Sequence, residues 1–223
     1  AGEYLLFDEF LRHQDGVTDV WLIVGPNMLQ SDIDVLYGYQ YVVIPFARYD
    51  MLDRLEPETT AYMKDLYGSL FLNKTVASMI GDSNVGRKLY LNYLKEKYAV
   101  KKAGESGESG RYPLSMTARI YLPKIAELCG EHQITLHLLA TPQADNEYRR
   151  DEADELLQYV EETEPEYADL FADYFDTLVF YPEEQFADGI HFGGEYDCQG
   201  HFNDLIEEMY QEQGYLRDLV LSE

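Results

Sequence analysis

The sequence predicts an α/β fold of three layers, with helices on both faces of a mainly parallel sheet. Three runs carry that expectation: VWLIVG at 20–25, ITLHLLATP at 134–142 and TLVFY at 177–181. Each is an almost unbroken apolar stretch bounded by turn residues, the pattern of a strand buried on both faces. Helical patterns lie between and after them, and strands that alternate with helices at these spacings favour parallel pairing.

Taken in order, residues 3–13 read as a helix with Tyr4, Leu5, Phe7 and Leu11 inward and Phe10 as a further candidate. The turn QDGVTD leads into the first strand run, which ends in the loop GPNMLQSD. YQYVVIPFARY fits a strand or a buried helix equally well. Residues 58–72 and 86–98 carry apolar side chains at helical spacing, marked by Leu66 and Leu70 and by Leu89, Tyr93 and Leu94. KKAGESGESGRYP, rich in Gly and Ser, reads as a surface loop. Ser115 can cap a helix over about 116–129, with Pro123 inside it and Gly130 as its stop. An acidic helix over about 150–174 precedes TLVFY, and a closing amphipathic helix follows at 199–213. Residues 1–223 are therefore expected to form a single domain, with a mostly helical insertion at about 33–115.

The chain has 223 residues, 46% of them hydrophobic, which is enough for a substantial core. Its formal net charge is −25. That excludes the classes that need a basic surface, nucleic-acid binding and anionic-membrane binding, because both use Lys and Arg against phosphate. No apolar run is long enough to span a bilayer. The start, AGEYLLFDEF, carries neither an initiator Met nor a signal-like stretch and reads as a processed or trimmed chain. The 20 tyrosines suit cleft rims and glycan-facing surfaces as well as ordinary half-buried positions. Two cysteines, Cys129 and Cys198, make no disulfide framework.

In parallel α/β sheets, sites form at the carboxyl ends of strands. GPN, ATPQADNE and FADGIH all fall there. Within FADGIH, Asp188 and His191 are three residues apart. An Asp in a turn can hold one ring nitrogen of such a His, leaving the other to act as a base. The alternative is an ordinary acidic turn. Ser83, in SMIGDSN, is the candidate nucleophile for that base, against the reading of GDSN as a plain turn. His137 lies inside a strand run and reads as a core residue. His191, Glu195, Asp197, Cys198 and His201 match no metal-ligand spacing, so no metal and no other cofactor is expected.

YFDTLVFYPEEQFADGIHFGGEYDCQGHFNDLI resembles the last block of the SGNH (GDSL-type) hydrolase and acyltransferase superfamily, in which a D-x-x-H loop follows the last strand. TDVWLIVGPN is similar to that superfamily's G-x-N block, and YLPKIAELCGEHQITLHLLATP to the helix–strand unit between the two. The likeness is to the cell-surface branch related to O-acylation of polysaccharides and teichoic acids. It covers about half of the chain, mostly 17–30 and 116–213. The resemblance implies an SGNH-hydrolase-like fold with His191 as general base and then acid, and Asp188 orienting it. It further implies Asn27 as a donor to the oxyanion and Gly25 allowing close approach. One such donor contributes roughly 3 kcal/mol to transition-state stabilisation. The chain departs from the family at the nucleophile, since no serine precedes Gly25 and Ser83 comes after the G-x-N block.

Two functions follow as expectations. The first is a serine esterase or O-acyltransferase-like domain acting on an acylated cell-surface glycan or a small ester through a Ser-His-Asp type site, whose serine is either Ser83 or a residue missing from this chain. The second is a noncatalytic domain on the same fold that binds a glycan or a protein partner. Both imply an extracellular or cell-surface setting, with no nucleic acid and no membrane insertion by this chain.

Overall fold

The computed structural model describes residues 1–30, 38–104, 114–163, 165–187, 191–193 and 198–213. It corrects the expected three-layer α/β/α fold. The described residues are 71% helical, and the sheets among them are two parallel pairs of two short strands each. It divides into two compact units, residues 1–21 with 26–136, and residues 22–25 with 137–223.

The first unit is helical. It contains α1 (Gly2–Leu11), the start of β1 (Asp19–Val24) and α2 (Pro26–Gln30). A π-helical turn (Tyr39–Val43) then runs straight into α3 (Ile44–Arg48). The ambiguous YQYVVIPFARY is thus a buried helix, with Tyr39, Val43, Ile44, Phe46 and Ala47 in the core. α4 (Pro57–Tyr67), a 3-10 turn (Ser69–Leu72), α5 (Lys74–Asp82), α6 (Asn84–Gly104) and α7 (Met116–His132) follow. α7 begins as the sequence suggests, with the Ser115 hydroxyl oxygen accepting the Ala118 N–H at 3.1 Å. It does not stop at Gly130. The helix continues to His132, and Gln133 takes the left-handed cap conformation at φ 59°. The Ser115 N–H donates to the Leu29 carbonyl at 2.7 Å, which ties α7 to α2.

An aromatic core holds this unit together. Tyr39 packs on Tyr90 with ring centroids 4.5 Å apart, and Phe71 stacks on Tyr90 at 4.0 Å. The buried phenols have partners. Tyr39 donates to the Phe71 carbonyl at 3.0 Å and Tyr90 to the Tyr67 carbonyl at 2.7 Å. Gly81 of α5 packs closely on side chains of α3, since an added Cβ would stand 2.6 Å from Ile44 Cγ2.

The second unit contains the end of β1 and most of β2 (Thr135–Ala140). It also holds β3 (Gln143–Ala144), α8 (Glu147–Thr163), α9 (Pro165–Leu170), α10 (Ala172–Thr177), β4 (Phe180–Tyr181) and α11 (Cys198–Gln213). Leu138, Leu139, Ala140, Leu156, Val160, Phe171 and Tyr174 form its core.

Among the described residues no third strand joins β1 and β2, and TLVFY shows a local reason. Thr177, the first residue of TLVFY, closes α10 instead of opening a strand. Its Oγ1 accepts the Ala140 N–H at 3.1 Å, occupying a backbone donor that a neighbouring strand would need. The remainder of TLVFY pairs with β3, with Gln143 opposite Phe180 and Ala144 opposite Tyr181. β2 meets α10 instead, through His137 with Asp173 and through Ala140 with Thr177.

Candidate functional site

Two places carry the residues of interest, one in each unit. In the second unit, β1 ends at Val24, whose carbonyl accepts the Thr141 N–H at 2.9 Å. Gly25 then lies against Thr141 so tightly that a Cβ would come 2.8 Å from Oγ1. Gly25 therefore permits a close approach, here to Thr141. The Gln143 side-chain amide donates to the Thr141 carbonyl at 2.7 Å and to its hydroxyl at 3.1 Å, which fixes this corner. Asn27 falls in α2, and its side chain lies outside what is described.

Of FADGIHFGG, residues 186–187 and 191–193 are described, and they pair with each other. Phe186 and Phe192 form an antiparallel bridge, and their rings stack at 4.4 Å. The Ala187 N–H donates to the His191 carbonyl at 2.7 Å, and the Gly193 N–H to the Gln185 carbonyl at 2.7 Å. Tyr181 at the end of β4 meets Phe192 edge-on at 5.8 Å. His191 is thus exposed and sits next to Phe192, which aromatic contacts tie to Phe186 and to Tyr181 at the end of β4. Asp188 lies outside the described residues.

His137 is a core residue, as its place in the strand run suggests. It is 2% exposed, and its Nδ1 is 2.8 Å from Asp173 Oδ2. Among the described residues no cluster of His, Cys, Asp and Glu could hold a metal ion. No helix among them is long and apolar enough to cross a membrane.

Ser83 belongs to the first unit, and it follows a helix where a nucleophile block would follow a strand. It is the single residue between α5 and α6. Its Oγ accepts the Gly86 N–H at 3.0 Å and its carbonyl accepts the Arg87 N–H at 2.8 Å, the bonding of a helix N-cap. The structure does not bring Ser83 and His191 into one unit.

The second place is the outer side of α6. Tyr90 and Leu94 point into the core of the first unit. Val85, Leu89 and Tyr93, each four residues from the next, do not. They are 70%, 65% and 49% exposed, and Leu70 is 65% exposed. Tyr93 continues the internal aromatic stack to the surface, 5.9 Å from Tyr90 and 6.4 Å from Phe71, the residue next to Leu70. Met79 of α5 is exposed beside Ile80, which Gly86 of α6 touches. Val85, Leu89 and Tyr93 thus follow one line on the outside of α6, where Asn92 and Glu96 are exposed among them.

The charges around it are unusual for this chain. Arg87, Lys88, Lys95, Lys97, Lys101 and Lys102 fall in α6, against one acid, Glu96, in a chain with 17 Lys and Arg and 42 Asp and Glu. Lys97 donates to the Asp65 and Leu66 carbonyls at the end of α4, and Arg87 to Asn84. Lys88 and Lys95 are exposed and make no ion pair among the described residues. Sequence reasoning placed a helix here but missed its outer face. The four-residue spacing of Val85, Leu89 and Tyr93, combined with the local excess of Lys and Arg, was the available signal.

Comparison with models of known protein families, with curated proteins and with solved structures returns no match.

Proposed function

We propose that this chain is a noncatalytic protein-binding domain. The observation that carries the reading is the exposed stripe of Val85, Leu89 and Tyr93 on α6, with Leu70 beside it. Contiguous exposed apolar groups on a helix that is otherwise firmly anchored are characteristic of a surface that another molecule covers. Full burial of one such side chain contributes about 1.5–3 kcal/mol, so a partner covering this face would gain several times that amount before the costs of association. Tyr93 has the character of an anchor residue, because its ring is already held by Tyr90 and loses little freedom on binding. The helix-capping role of Ser83 supports the same reading, since it gives the GDSN string a structural purpose.

A second reading, an SGNH-type esterase or O-acyltransferase acting on an acylated glycan, is favoured by one observation. Gly25 follows β1 and His191 comes after β4, and both residues belong to the second unit. His191 would then be the base, Asp188 its orienting acid and Asn27 an oxyanion donor.

The test that separates them is exposure of the protein to a fluorophosphonate probe, together with an assay of p-nitrophenyl acetate hydrolysis. The binding reading expects no adduct and no hydrolysis beyond that of a His191→Ala variant. A stoichiometric adduct, or hydrolysis lost in His191→Ala, would overturn it.

A further inference from the structure

We propose that Asp15 and Gly16 form a site of spontaneous isoaspartate formation, at which the folded chain rearranges through a cyclic succinimide. The product is a substrate for enzymes of the protein isoaspartyl methyltransferase class. The site lies away from the exposed face of α6 and is independent of the binding reading.

In this reaction the backbone nitrogen of Gly16 attacks Asp15 Cγ. A C–N bond forms and a carboxyl C–O bond breaks. One water leaves, its hydroxyl from the acid form of the carboxyl and its second hydrogen from the Gly16 amide. Water then opens the five-membered ring. Attack at the former Cγ restores aspartate. Attack at the former backbone carbonyl leaves the chain running through the side chain, with the mass restored and no oxidant or cofactor consumed. Two things slow the first step. A side chain on the following residue crowds the nitrogen, and hydrogen bonds or ion pairs at either group hold the two apart.

Three aspartates precede Gly or Ser, namely Asp15, Asp82 and Asp188, and the last lies outside the described residues. Asp15 and Gly16 lie between α1 and β1, both exposed and in neither helix nor strand. Gly16 has φ 79°, and no atom stands within 4 Å of the place its Cβ would take. Among the described residues its N–H donates no hydrogen bond, and the Asp15 carboxylate has neither a hydrogen bond nor an ion pair. The neighbouring bonds lie on either side of the pair. The Gln14 N–H donates to the Phe10 carbonyl at 3.0 Å, and the Thr18 carbonyl accepts the Thr135 N–H at 2.8 Å. The loop is therefore held at both ends while the reacting groups are untied. Asp82 is the opposite case. It ends α5, its carboxylate is bonded to Arg48, and the Ser83 N–H donates to the Ile80 carbonyl at 3.3 Å. The same attack at Asp82 requires those contacts to open first.

The test is ageing of the full chain in warm neutral buffer, folded and, in parallel, unfolded in guanidinium chloride. Isoaspartate is read by methyl transfer from radiolabelled S-adenosylmethionine with a purified isoaspartyl methyltransferase. It is then located by electron-transfer fragmentation of tryptic fragments, which separate the three sites into residues 13–48, 75–87 and 151–217. In the folded chain, Asp15 is expected to convert at the rate seen in the unfolded chain. Asp82 should convert at least about tenfold more slowly folded than unfolded, because its bonds must open first. Asp15→Glu, whose longer side chain would have to close a six-membered ring, should leave fragment 13–48 unlabelled while the circular dichroism matches the parent. An Asp15 that stays intact in the folded chain while converting in the unfolded one would overturn the proposal. So would an Asp15 that converts in neither state, or label that persists on fragment 13–48 in Asp15→Glu. An Asp82 that converts equally fast in both states would also count against it, since the contrast in bonding would then decide nothing.

Discussion

Gly81 on α5 and Ile44 on α3 meet with no room for a methyl group between them, a Cβ at 81 standing 2.6 Å from Ile44 Cγ2. Inside a helix, Gly→Ala ordinarily stabilises by about 1 kcal/mol. Here the sign should reverse. The opposing atom is a β-branched methyl close to its own backbone, so it cannot swing away. Gly81→Ala is expected to lower stability by about 1–3 kcal/mol, read as a drop in the urea midpoint. In an Ile44→Ala background the same change should be neutral or favourable. An additive double mutant would show that the helices are not in contact at this point.

Ser83→Ala should cost about 1 kcal/mol, because the Gly86 N–H loses its acceptor at the start of α6. Ser83→Asp should recover most of it, through the carboxylate as cap and its charge at the helix N-terminus. If any ester hydrolysis is detected, Ser83→Ala is expected to leave its rate unchanged. A loss of rate in a variant that remains folded would reassign Ser83 to chemistry.

Thr177 takes up the last amide of β2 and passes its own proton to the Asp173 carbonyl at 2.7 Å. Thr177→Val keeps the shape but leaves the Ala140 N–H buried without an acceptor. Destabilisation of about 1–3 kcal/mol is expected by chemical denaturation, with Thr177→Ser close to the parent. Equal stability of Val and Ser variants would count against this bond as the stop to sheet growth.

The pH response should be asymmetric. Burial holds the phenols of Tyr39, Tyr90, Tyr121 and Tyr174 above their ordinary range and pushes the Cys129 thiol up to about 11. A group raised in the folded state contributes fully below its unfolded value, 9.0 for the thiol and 10.0 for the phenols, and loses that contribution as pH climbs towards the folded value. The denaturation midpoint should therefore begin to fall above about pH 9, and Cys129→Ala should remove the earliest part of the decline. On the acid side the sign is opposite. Hydrogen bonds from Arg54 to Glu9 and from Arg150 to Asp145 hold those carboxyls below their ordinary values, so their contribution is lost as pH falls through the folded values. A midpoint flat from pH 8 to pH 11 would contradict the alkaline half.

With Cys198→Ser in place, Cys129 is the sole thiol. It is buried and held in its neutral form, so labelling by Ellman's reagent at pH 8 should be slow in the native protein and rapid once urea unfolds it. Prompt native labelling would mean that α7 opens locally in this region.

Much of the local structure was legible, for reasons that can be traced to individual residues. Ser115 before an apolar helical pattern is a cap signal, and it caps. VWLIV and TLHLLA are strands because apolar, mostly β-branched or leucine runs bounded by turns favour an extended, covered chain. The wider architecture was not legible. TLVFY looks like its predecessors, but its threonine is consumed as a side-chain partner for β2, an event that no periodicity records. YQYVVIPFARY was ambiguous because apolar residues at nearly every position satisfy both periods, and packing of Tyr39, Val43 and Phe46 decided it. On α6, Leu89, Tyr90, Tyr93 and Leu94 are all apolar, so spacing announced a helix without saying which side faced inward. The pairing of Phe186 with Phe192 beside His191 joins two aromatics six residues apart, a spacing that neither helical nor strand periodicity singles out.

The pairing of β1 with β2 brings Thr18 beside Thr135, with nearly the whole helical unit strung between them. Closing so long a loop costs entropy that the few hydrogen bonds of a two-strand ladder repay only slowly. The helices in between need no such closure, since α3, α5 and α6 contact near neighbours in sequence. Refolding should accordingly run in two stages, with helix content recovered early and the strand pair formed last. Until that last stage, the edges of β1 and β2 would be open to strands of other molecules, which makes dilute conditions the gentler route to the folded protein.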